Sequence, residues 1–171
     1  MDTGASGEFD EFFHSRAPAL LRSAFLLTGD RFLAEDLVQD ALARTHRVWR
    51  RLGDGNPDAY VRRVLYHLHV SHWRRRRVGE VLAGDLPEAR GRGDHSGEVV
   101  QRLVLRQALL TLPARQRAAV ILRFLEDRSE AETAEILNCR VGTVKSHTSR
   151  GLARLRELMP GPAVNEWEGV R

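Results

Sequence analysis

The sequence predicts an all-α protein, with two small helical domains joined by a flexible linker and a helix-turn-helix in the second domain. Apolar residues recur at helical spacing along most of the chain, and no segment alternates as a strand would. Glycine and proline interrupt this pattern between residues 78 and 97. Near the C-terminus, a short and a longer helical pattern are separated by only a few residues, which indicates the helix-turn-helix.

The first domain is predicted to contain three helices. Pro18 either kinks the first helix or opens its second half, and Gly29 ends it as a C-cap. Asp30 is suited to cap the second helix, whose polar face begins acidic and finishes basic. Asn56 as N-cap, with Pro57 at the first helical position, starts a third helix that runs to an arginine-rich block.

The second domain is predicted to begin after a flexible linker at residues 79–97, and Pro113 opens one of its helices. Ser129 and Glu132 have the spacing of a capping box, in which each side chain accepts a hydrogen bond from the other residue's backbone N–H. The short helix that they start is followed, after a turn, by a longer helix at residues 141–158. This pair is the predicted helix-turn-helix.

Composition excludes several classes of protein. The chain has 171 residues, and no apolar run approaches the roughly 20 residues that a membrane span needs. Its N-terminus lacks an export signal, so we expect a cytoplasmic protein without a membrane partner. Cys139 is the only cysteine, which excludes an internal disulfide and a multi-cysteine zinc site.

Charge is distributed unevenly along the chain. Residues 8–40 carry seven acids against three arginines, whereas residues 44–77 carry ten arginines against two acids, a net charge of +8. Nucleic acid is a natural partner for such a basic block, which includes the unbroken run Arg74–Arg77. A solvated helix end is the alternative that charge alone leaves open.

The longer helix of the predicted helix-turn-helix has two distinct faces. Its apolar side comprises Val144, Thr148, Gly151, Leu152, Leu155 and Leu158, and its polar side comprises Lys145, Ser146, Ser149, Arg150, Ala153 and Arg156. Arg and Lys reach guanine acceptors or phosphates, and a small residue allows close approach to the groove. An ordinary amphipathic surface helix would show the same division.

Enzymatic and metal chemistry have little support in the sequence. His69 and His72 lie three residues apart on a predicted helix, with His67 nearby, but no carboxylate or cysteine is spaced to complete a ligand set. The chain also lacks a Gly-rich phosphate loop, a nucleophile elbow and a metalloprotease motif. We therefore expect no catalytic residue, no metal and no cofactor.

Four segments in order resemble the extracytoplasmic-function sigma factors of bacterial RNA polymerase, particularly the short actinobacterial type. These segments are Ala34–Asp40, Tyr60–Arg77, Leu112–Arg117 and Val141–Ser146. The resemblance implies that residues 1–78 bind the polymerase and melt the promoter −10 element. It also implies that residues 79–97 are the linker, that residues 98–160 read the −35 element, and that residues 161–171 form a tail.

The resemblance assigns expected roles to three sets of residues. The core-polymerase set, which would meet the clamp helices of the largest catalytic subunit, is Glu35, Asp36, Gln39 and Asp40. The −10 set is Asn56, Val64, His67, His72, Trp73, Arg74, Arg75, Arg76 and Arg77. The −35 set is Arg140, Thr143, Lys145, Ser146, Ser149 and Arg150. Further implied partners are the polymerase flap, promoter DNA and, in some members, an anti-sigma factor.

At two positions the chain departs from the family pattern. His67 stands where the family commonly has Asn, and His72 stands where the short actinobacterial members have Trp. These departures leave the preferred −10 base open.

Two other functions also remain: an autonomous helix-turn-helix regulator, which binds DNA tightly by itself, and an interaction module, which binds no DNA. The acidic stripe followed by an aromatic and arginine segment is a feature that neither alternative requires.

Overall fold

A computed structural model describes the backbone of residues 3–53, 55–83 and 97–159, and the side chains of most of these residues. All regular elements within these ranges are helices, which confirms the predicted fold class. No helix in the described part of the chain has the length and hydropathy that crossing a membrane requires.

The first half of the molecule consists of three helices: α1 (Thr3–Thr28), α2 (Arg31–Leu52) and α3 (Pro57–Ala83). Helix α1 continues through Pro18 as one element. It ends before Gly29, which has a φ of 70° and whose N–H donates to the carbonyl oxygen of Phe25 at 2.8 Å. The expected C-cap is confirmed, because a left-handed conformation costs glycine little.

Both predicted N-caps of the first half are confirmed. The Asp30 carboxylate accepts hydrogen bonds from the backbone N–H of Phe32 at 2.8 Å and of Leu33 at 3.1 Å. The Asn56 side chain accepts one from the N–H of Ala59 at 3.0 Å. A side-chain cap of this kind stabilises a helix by about 1 kcal/mol.

Helix α3 is longer than the sequence predicted. We expected the linker to begin at residue 79, but the backbone stays helical to Ala83. Glu80, Leu82 and Ala83 favour a helix strongly enough to offset the single Gly79. The rest of the predicted linker, residues 84–96, lies outside the described residues.

The described residues of the second half, 97–159, form four helices and one π-helical turn. These are α4 (Gly97–Leu110), α5 (Ala114–Val120) with the π-helical turn Ile121–Leu125, α6 (Glu130–Leu137) and α7 (Val141–Leu158). The capping box at the start of α6 is complete, with the Ser129 hydroxyl accepting from the N–H of Glu132 and the Glu132 carboxylate accepting from the N–H of Ser129. Helix α6 and helix α7 form the predicted helix-turn-helix.

Each half has its own apolar core. In the first half, buried residues of the three helices pack together, including Leu20, Val38 and Val61. The second core contains Leu122 and Leu155, and it also contains two residues of the first half, Leu27 and Tyr66. The two halves are therefore packed against each other and not merely tethered.

Arg117 holds the centre of the second half together. Its side chain is buried and donates hydrogen bonds to the carbonyl oxygens of Leu109, Leu110 and Leu112 at 2.9–3.0 Å. A further hydrogen bond goes to the carbonyl oxygen of Leu27 in α1. These carbonyls end α4 and α1, so one guanidinium satisfies backbone groups at two helix C-termini. Burial lowers its pKa to about 10, and the side chain remains charged at neutral pH.

Candidate nucleic-acid interface

Helix α7 presents the polar face that the sequence predicted. Val144, Gly151, Leu152 and Leu155 are buried. The members of the −35 set are exposed or half-buried: Arg140, Lys145, Ser149 and Arg150 are exposed, and Thr143 and Ser146 are half-buried. At the end of the helix, Leu158 lies on the expected apolar side but is 39% exposed. The predicted orientation of the helix is thus confirmed over its first four turns.

The close approach of α7 to α5 fixes the position of this helix. A Cβ atom on Gly151 would lie 2.7 Å from Cγ2 of the buried Val120, so only glycine fits without displacement. The conformation of the turn before α7 is set by Asn138, whose left-handed backbone ends α6. The polar face is therefore held on a rigid element, as a reading helix requires.

Two groups on α7 are affected by their surroundings. Lys145 lies 3.5 Å from a carboxylate oxygen of Glu130, the first residue of α6. His147 is partly buried, and this burial, together with Arg115 and Arg150, lowers its pKa. The imidazole is therefore held neutral beside two guanidinium groups.

The predicted core-polymerase set lies along the solvent side of α2. Asp36 and Gln39 are exposed, whereas the side chains of Glu35 and Asp40 are 41% and 46% exposed. Each of the latter two pairs with an arginine of its own helix: Glu35 with Arg31 at 3.0 Å, and Asp40 with Arg44 at 2.9 Å. Exposed i,i+4 pairs stabilise by only about 0.3–0.5 kcal/mol, so these acids remain accessible to a partner.

The predicted −10 set is distributed along α3 and the loop before it. Asn56 and His67 are exposed, whereas Val64, His72 and Trp73 are half-buried. In the run that follows, Arg74, Arg75 and Arg77 are exposed and Arg76 is half-buried. This set therefore combines an aromatic ring with exposed cations at one end of a long helix.

The ring of Trp73 contacts a buried side chain of the second half. The guanidinium carbon of Arg117 lies 5.0 Å from the centroid of its ring, which is a cation–π geometry. Val64 and His67 line one side of a cavity of about 370 Å³, and Leu137, Asn138 and Cys139 line the other. The turn of the helix-turn-helix thus lies opposite the predicted −10 surface.

Sequence reasoning missed a cluster of polar residues between the halves. Asp58, Arg62 and Tyr66 of α3 meet Glu126 and Arg128 of the second half, and we call these five residues the interdomain cluster. Only the Asp58–Arg62 spacing of four residues gave a local signal for this cluster. Its other pairs join residues that are 60 or more apart in the sequence.

The pKa values within the interdomain cluster follow from burial and pairing. Burial would raise the pKa of Asp58, but Arg62, Arg128 and Arg16 outweigh it and lower that pKa. Tyr66 is fully buried, and this burial, together with the carboxylate of Glu126, raises its pKa well above its ordinary value. The Asp58 carboxylate is thus ionised and the Tyr66 phenol is neutral at physiological pH.

Among the described residues, no group of histidine, cysteine or acidic side chains is arranged to hold a metal ion. His69 is 0% exposed, and neither ring nitrogen has a hydrogen-bond partner. Burial, with smaller effects of Arg117 and His72, lowers its pKa to about 3. The Cys139 thiol at the turn before α7 is half-buried, and burial raises its pKa.

The fold and this surface define a two-domain helical protein with a helix-turn-helix that presents a basic face. Residues 12–78 match the family model for sigma-70 region 2, and residues 102–155 match the model for sigma-70 region 4. An RNA polymerase sigma-E factor of Streptomyces coelicolor is 43% identical over 151 residues, covering 88% of this chain and 85% of that protein. The chain belongs to the sigma-70 family, within its extracytoplasmic-function group.

Two further relatives agree with this assignment. The extracytoplasmic-function sigma factor SigM of Mycobacterium tuberculosis is 33% identical, covering 88% of this chain and 76% of that protein. Among solved structures, the sigma factor RpoE of Bartonella quintana, in complex with the anti-sigma factor NepR, is similar with a TM-score of 0.75 and 30% identity. That similarity covers 88% of this chain and 96% of that one.

The protein is accordingly a sigma factor, which directs bacterial RNA polymerase core to promoters and initiates transcription there. Both matched regions occur in one chain in the expected order, which favours this function over an autonomous helix-turn-helix regulator.

Proposed function

We propose that three separate surfaces of the chain perform promoter recognition. The acidic stripe of α2 binds polymerase, the end of α3 binds and opens the −10 element, and α7 reads the −35 element. The observation that carries this proposal is that three surfaces of different character lie on different helices: an acidic and polar stripe with the exposed Asp36 and Gln39 on α2, exposed arginines at the end of α3, and the exposed Lys145 and Arg150 on α7. One partner is therefore basic and the other is a polyanion.

For the polymerase surface, we propose that Glu35, Asp36, Gln39 and Asp40 meet a basic element of the largest catalytic subunit. Asp36 and Gln39 are exposed three residues apart, so they lie on one side of the helix. Complementary charge at such a surface raises the association rate and fixes the register. The polymerase flap is a further proposed contact of the chain.

For the −10 element, we propose that Trp73 supplies a stacking surface for an unpaired base. Base stacking on an aromatic side chain contributes about 1–3 kcal/mol. Val64 and His67 lie nine and six residues earlier on the same helix, about two and a half and one and two-thirds turns, and would contact a second base, with Asn56 at the loop. Arg74, Arg75, Arg76 and Arg77, with His72, would bind the backbone phosphates.

For the −35 element, we propose that the exposed face of α7 enters the major groove. Lys145 and Arg150 reach phosphates or guanine, and Ser146 and Ser149 approach base edges or backbone. Arg140 and Thr143 lie at the start of the helix, where residues of a reading helix first meet the groove.

Several wider features also belong to this proposal. We propose that the protein performs no catalysis itself and acts in the cytoplasm, where its polymerase and promoters are. An anti-sigma factor is a further proposed partner, since the similar RpoE of Bartonella quintana was solved with NepR. Residues 1–78, 79–97 and 98–160 would be the polymerase and −10 domain, the linker and the −35 domain.

Footprinting of a selected promoter tests the proposal, with the isolated protein compared with the reconstituted holoenzyme. We expect weak, salt-dependent protection by the protein alone and tight protection by the holoenzyme, because tethering raises the effective concentration at the −35 element. Arg150→Ala should relax preference at one −35 position at a cost of about 1–3 kcal/mol.

A matched control is available on the same helix. Arg154→Ala changes the charge equally, but Arg154 is paired with Glu157 at 2.7 Å, near the end of α7. This variant should weaken all −35 sequences slightly or not at all. Specific protection of a site by the protein alone at nanomolar concentration, unchanged by core polymerase, would establish the autonomous regulator instead.

A further inference from the structure

Helix α4 has an apolar side that faces away from the second core. Leu105 and Leu109, on one side of the helix, pack into that core. Val100 and Val104, on another side, are 47% and 44% exposed. Side chains four residues apart on a helix are neighbours, so these two valines form one continuous surface. Helix α4 therefore carries apolar residues on more than one side, and one of these sides is open to solvent.

This open side of α4 forms a groove with the end of α7. The groove, which we call the α4 groove, has a volume of about 460 Å³. Leu158, which lies on the apolar side of α7 and yet is exposed, belongs to it. Contiguous exposed apolar surface is typical of an interaction site. The apolar residues of the groove are Val100, Leu103, Val104, Ala108 and Leu158, and its polar residues include Gln107.

The sequence that follows α7 has a repeating apolar pattern. Residues 160–171 lie outside the described residues, and large apolar side chains recur there at every third position, as Val164, Trp167 and Val170. The acids Glu166 and Glu168 lie between them. Residues three apart lie on one side of a helix and also of a polyproline II segment. In either conformation, this segment would present an apolar side and a polar side.

Residues 160–171 are long enough to reach all of the α4 groove. The groove follows α4 from Val100 to Thr111, which is about 16 Å at 1.5 Å per residue. Trp167 is nine residues beyond Leu158. An extended chain of that length spans up to about 30 Å. Because Leu158 itself lines the groove, the segment also begins beside it.

Trp167 is well suited to fill an apolar groove. An aromatic side chain buries about 150–250 Å² of surface, and tryptophan is enriched among the residues that dominate binding energy at interfaces. Residues 84–96, which precede α4 and also lie outside the described residues, contain only one large apolar residue, Leu86. Of the two segments that adjoin the groove along the chain, the C-terminal one therefore matches it better.

Covalent attachment makes a weak contact of this kind effective. A short tether gives an effective concentration of about 1 mM. A contact with a Kd of about 0.1 mM between separate molecules would then be about nine-tenths occupied within one chain. One buried tryptophan with a few valine contacts is therefore sufficient, and no large interface is required.

We propose that residues 160–171 dock in the α4 groove, with Trp167 against Val104 and Leu158. The docked segment covers the exposed apolar side of α4 and packs on the last turn of α7, the helix that carries the −35 set. Any partner protein that uses the α4 groove must first displace this segment. The proposal concerns the protein alone and does not depend on the promoter surfaces proposed above.

Nuclear magnetic resonance of the full chain tests where Trp167 lies. The chain has three tryptophans, and the indole N–H signal of Trp167 is the one that is absent in Trp167→Phe. A spin label on Gln101→Cys, at an exposed position of α4, in a Cys139→Ser background, should broaden this signal. Val104→Asp places a charge in the groove and should restore most of the lost intensity. The matched control Val78→Asp, at an exposed valine of α3, should leave the broadening unchanged.

Urea unfolding of the same proteins measures whether the contact stabilises the fold. Deletion of residues 160–171 should lower the unfolding midpoint of the wild type and of Val78→Asp by the same amount. The same deletion should have no effect in Val104→Asp, because the contact is already lost there. Trp167→Ser should lower the wild-type midpoint as well. This last variant leaves every described residue unchanged, so it tests the contact even if Val104→Asp does not fold.

Three results would each overturn the proposal. A Trp167 signal that stays sharp beside the spin label in the wild type would show that the segment does not dock. An equal effect of the deletion in the wild type and in Val104→Asp would place the contact outside the groove. A concentration-dependent dimer in sedimentation that Val104→Asp dissociates would assign the groove to a second copy of the chain.

Discussion

Mild acid should destabilise this protein through one buried histidine. His69 has no solvent exposure and no hydrogen-bond partner, and it lies near the cationic Arg117 and near His72. Burial, reinforced by these neighbours, lowers its pKa from 6.5 to about 3 in the folded protein. In the unfolded chain the imidazole has its ordinary pKa, so the unfolded state binds the proton first as the pH falls.

The sign and the magnitude follow from these two pKa values. Above pH 6.5 both states hold a neutral His69, and its contribution to the free energy of unfolding is constant. Below pH 6.5 the free energy of unfolding decreases by up to about 1.4 kcal/mol per pH unit, until the folded-state pKa near 3 is reached. Between pH 7.5 and 5.5 the loss is about 1.4 kcal/mol, which lowers the Tm by about 3–6 °C for a chain of this size.

The assay is urea unfolding, followed by circular dichroism at pH 7.5, 6.5 and 5.5, for the wild type and for His69→Gln. The wild type should lose about 1.4 kcal/mol more than the variant over this range. His147 also has a lowered pKa, but both proteins contain it, so its effect cancels in the difference. All other titratable groups are likewise common to both proteins. Parallel pH dependences would show that the imidazole is protonated in the folded state, contrary to its burial.

Two further predictions concern the proposed polymerase surface and the packing of α7. Asp36→Arg should weaken binding to core polymerase more than ten-fold in a pull-down titration, whereas Glu11→Arg, at a position on α1 that is also exposed, should bind normally. Equal binding of both variants would show that α2 is not part of the interface. Gly151→Ala should lower the free energy of unfolding by about 1–2 kcal/mol, because the clash of the new methyl group with Val120 outweighs the gain in helix propensity. The control Gly142→Ala meets nothing within 4 Å and should not destabilise the protein. Equal unfolding midpoints for the two variants would show that α5 and α7 have room to separate.

Features determined by neighbouring residues could be predicted from the sequence. Asp30, Asn56 and the Ser129–Glu132 pair all cap the helices that their positions indicated, because a cap involves only the next three residues. The buried face of α7 also followed from spacing alone. Helix α3 continues past Gly79, where the sequence predicts the start of a linker, because good helix formers follow the glycine.

The π-helical turn at Ile121–Leu125 had no signal in the sequence, which predicted only that Pro113 opens a helix. Its cause lies in contacts beyond the turn. Ile121 and Leu122 are both fully buried, and the N–H of Glu126 donates to the carbonyl oxygen of Ile121 at 2.9 Å, a five-residue step. The wider turn brings Glu126 to Arg62 and Tyr66, which are about 60 residues away in the sequence.

The basic block at residues 44–77 shows why charge patterns predict a partner better than they predict contacts. Counting its arginines indicated a nucleic-acid surface, yet Arg62 is buried between Asp58 and Glu126, and Arg63 pairs with Glu135. Exposed arginines of the block remain at the end of α2, at Arg47 and Arg51, and at the end of α3, at Arg74, Arg75 and Arg77. An arginine that binds a carboxylate across the interface looks the same in the sequence as one that binds DNA. The distinction depends on which acid the fold brings near, so it can be made only from the structure.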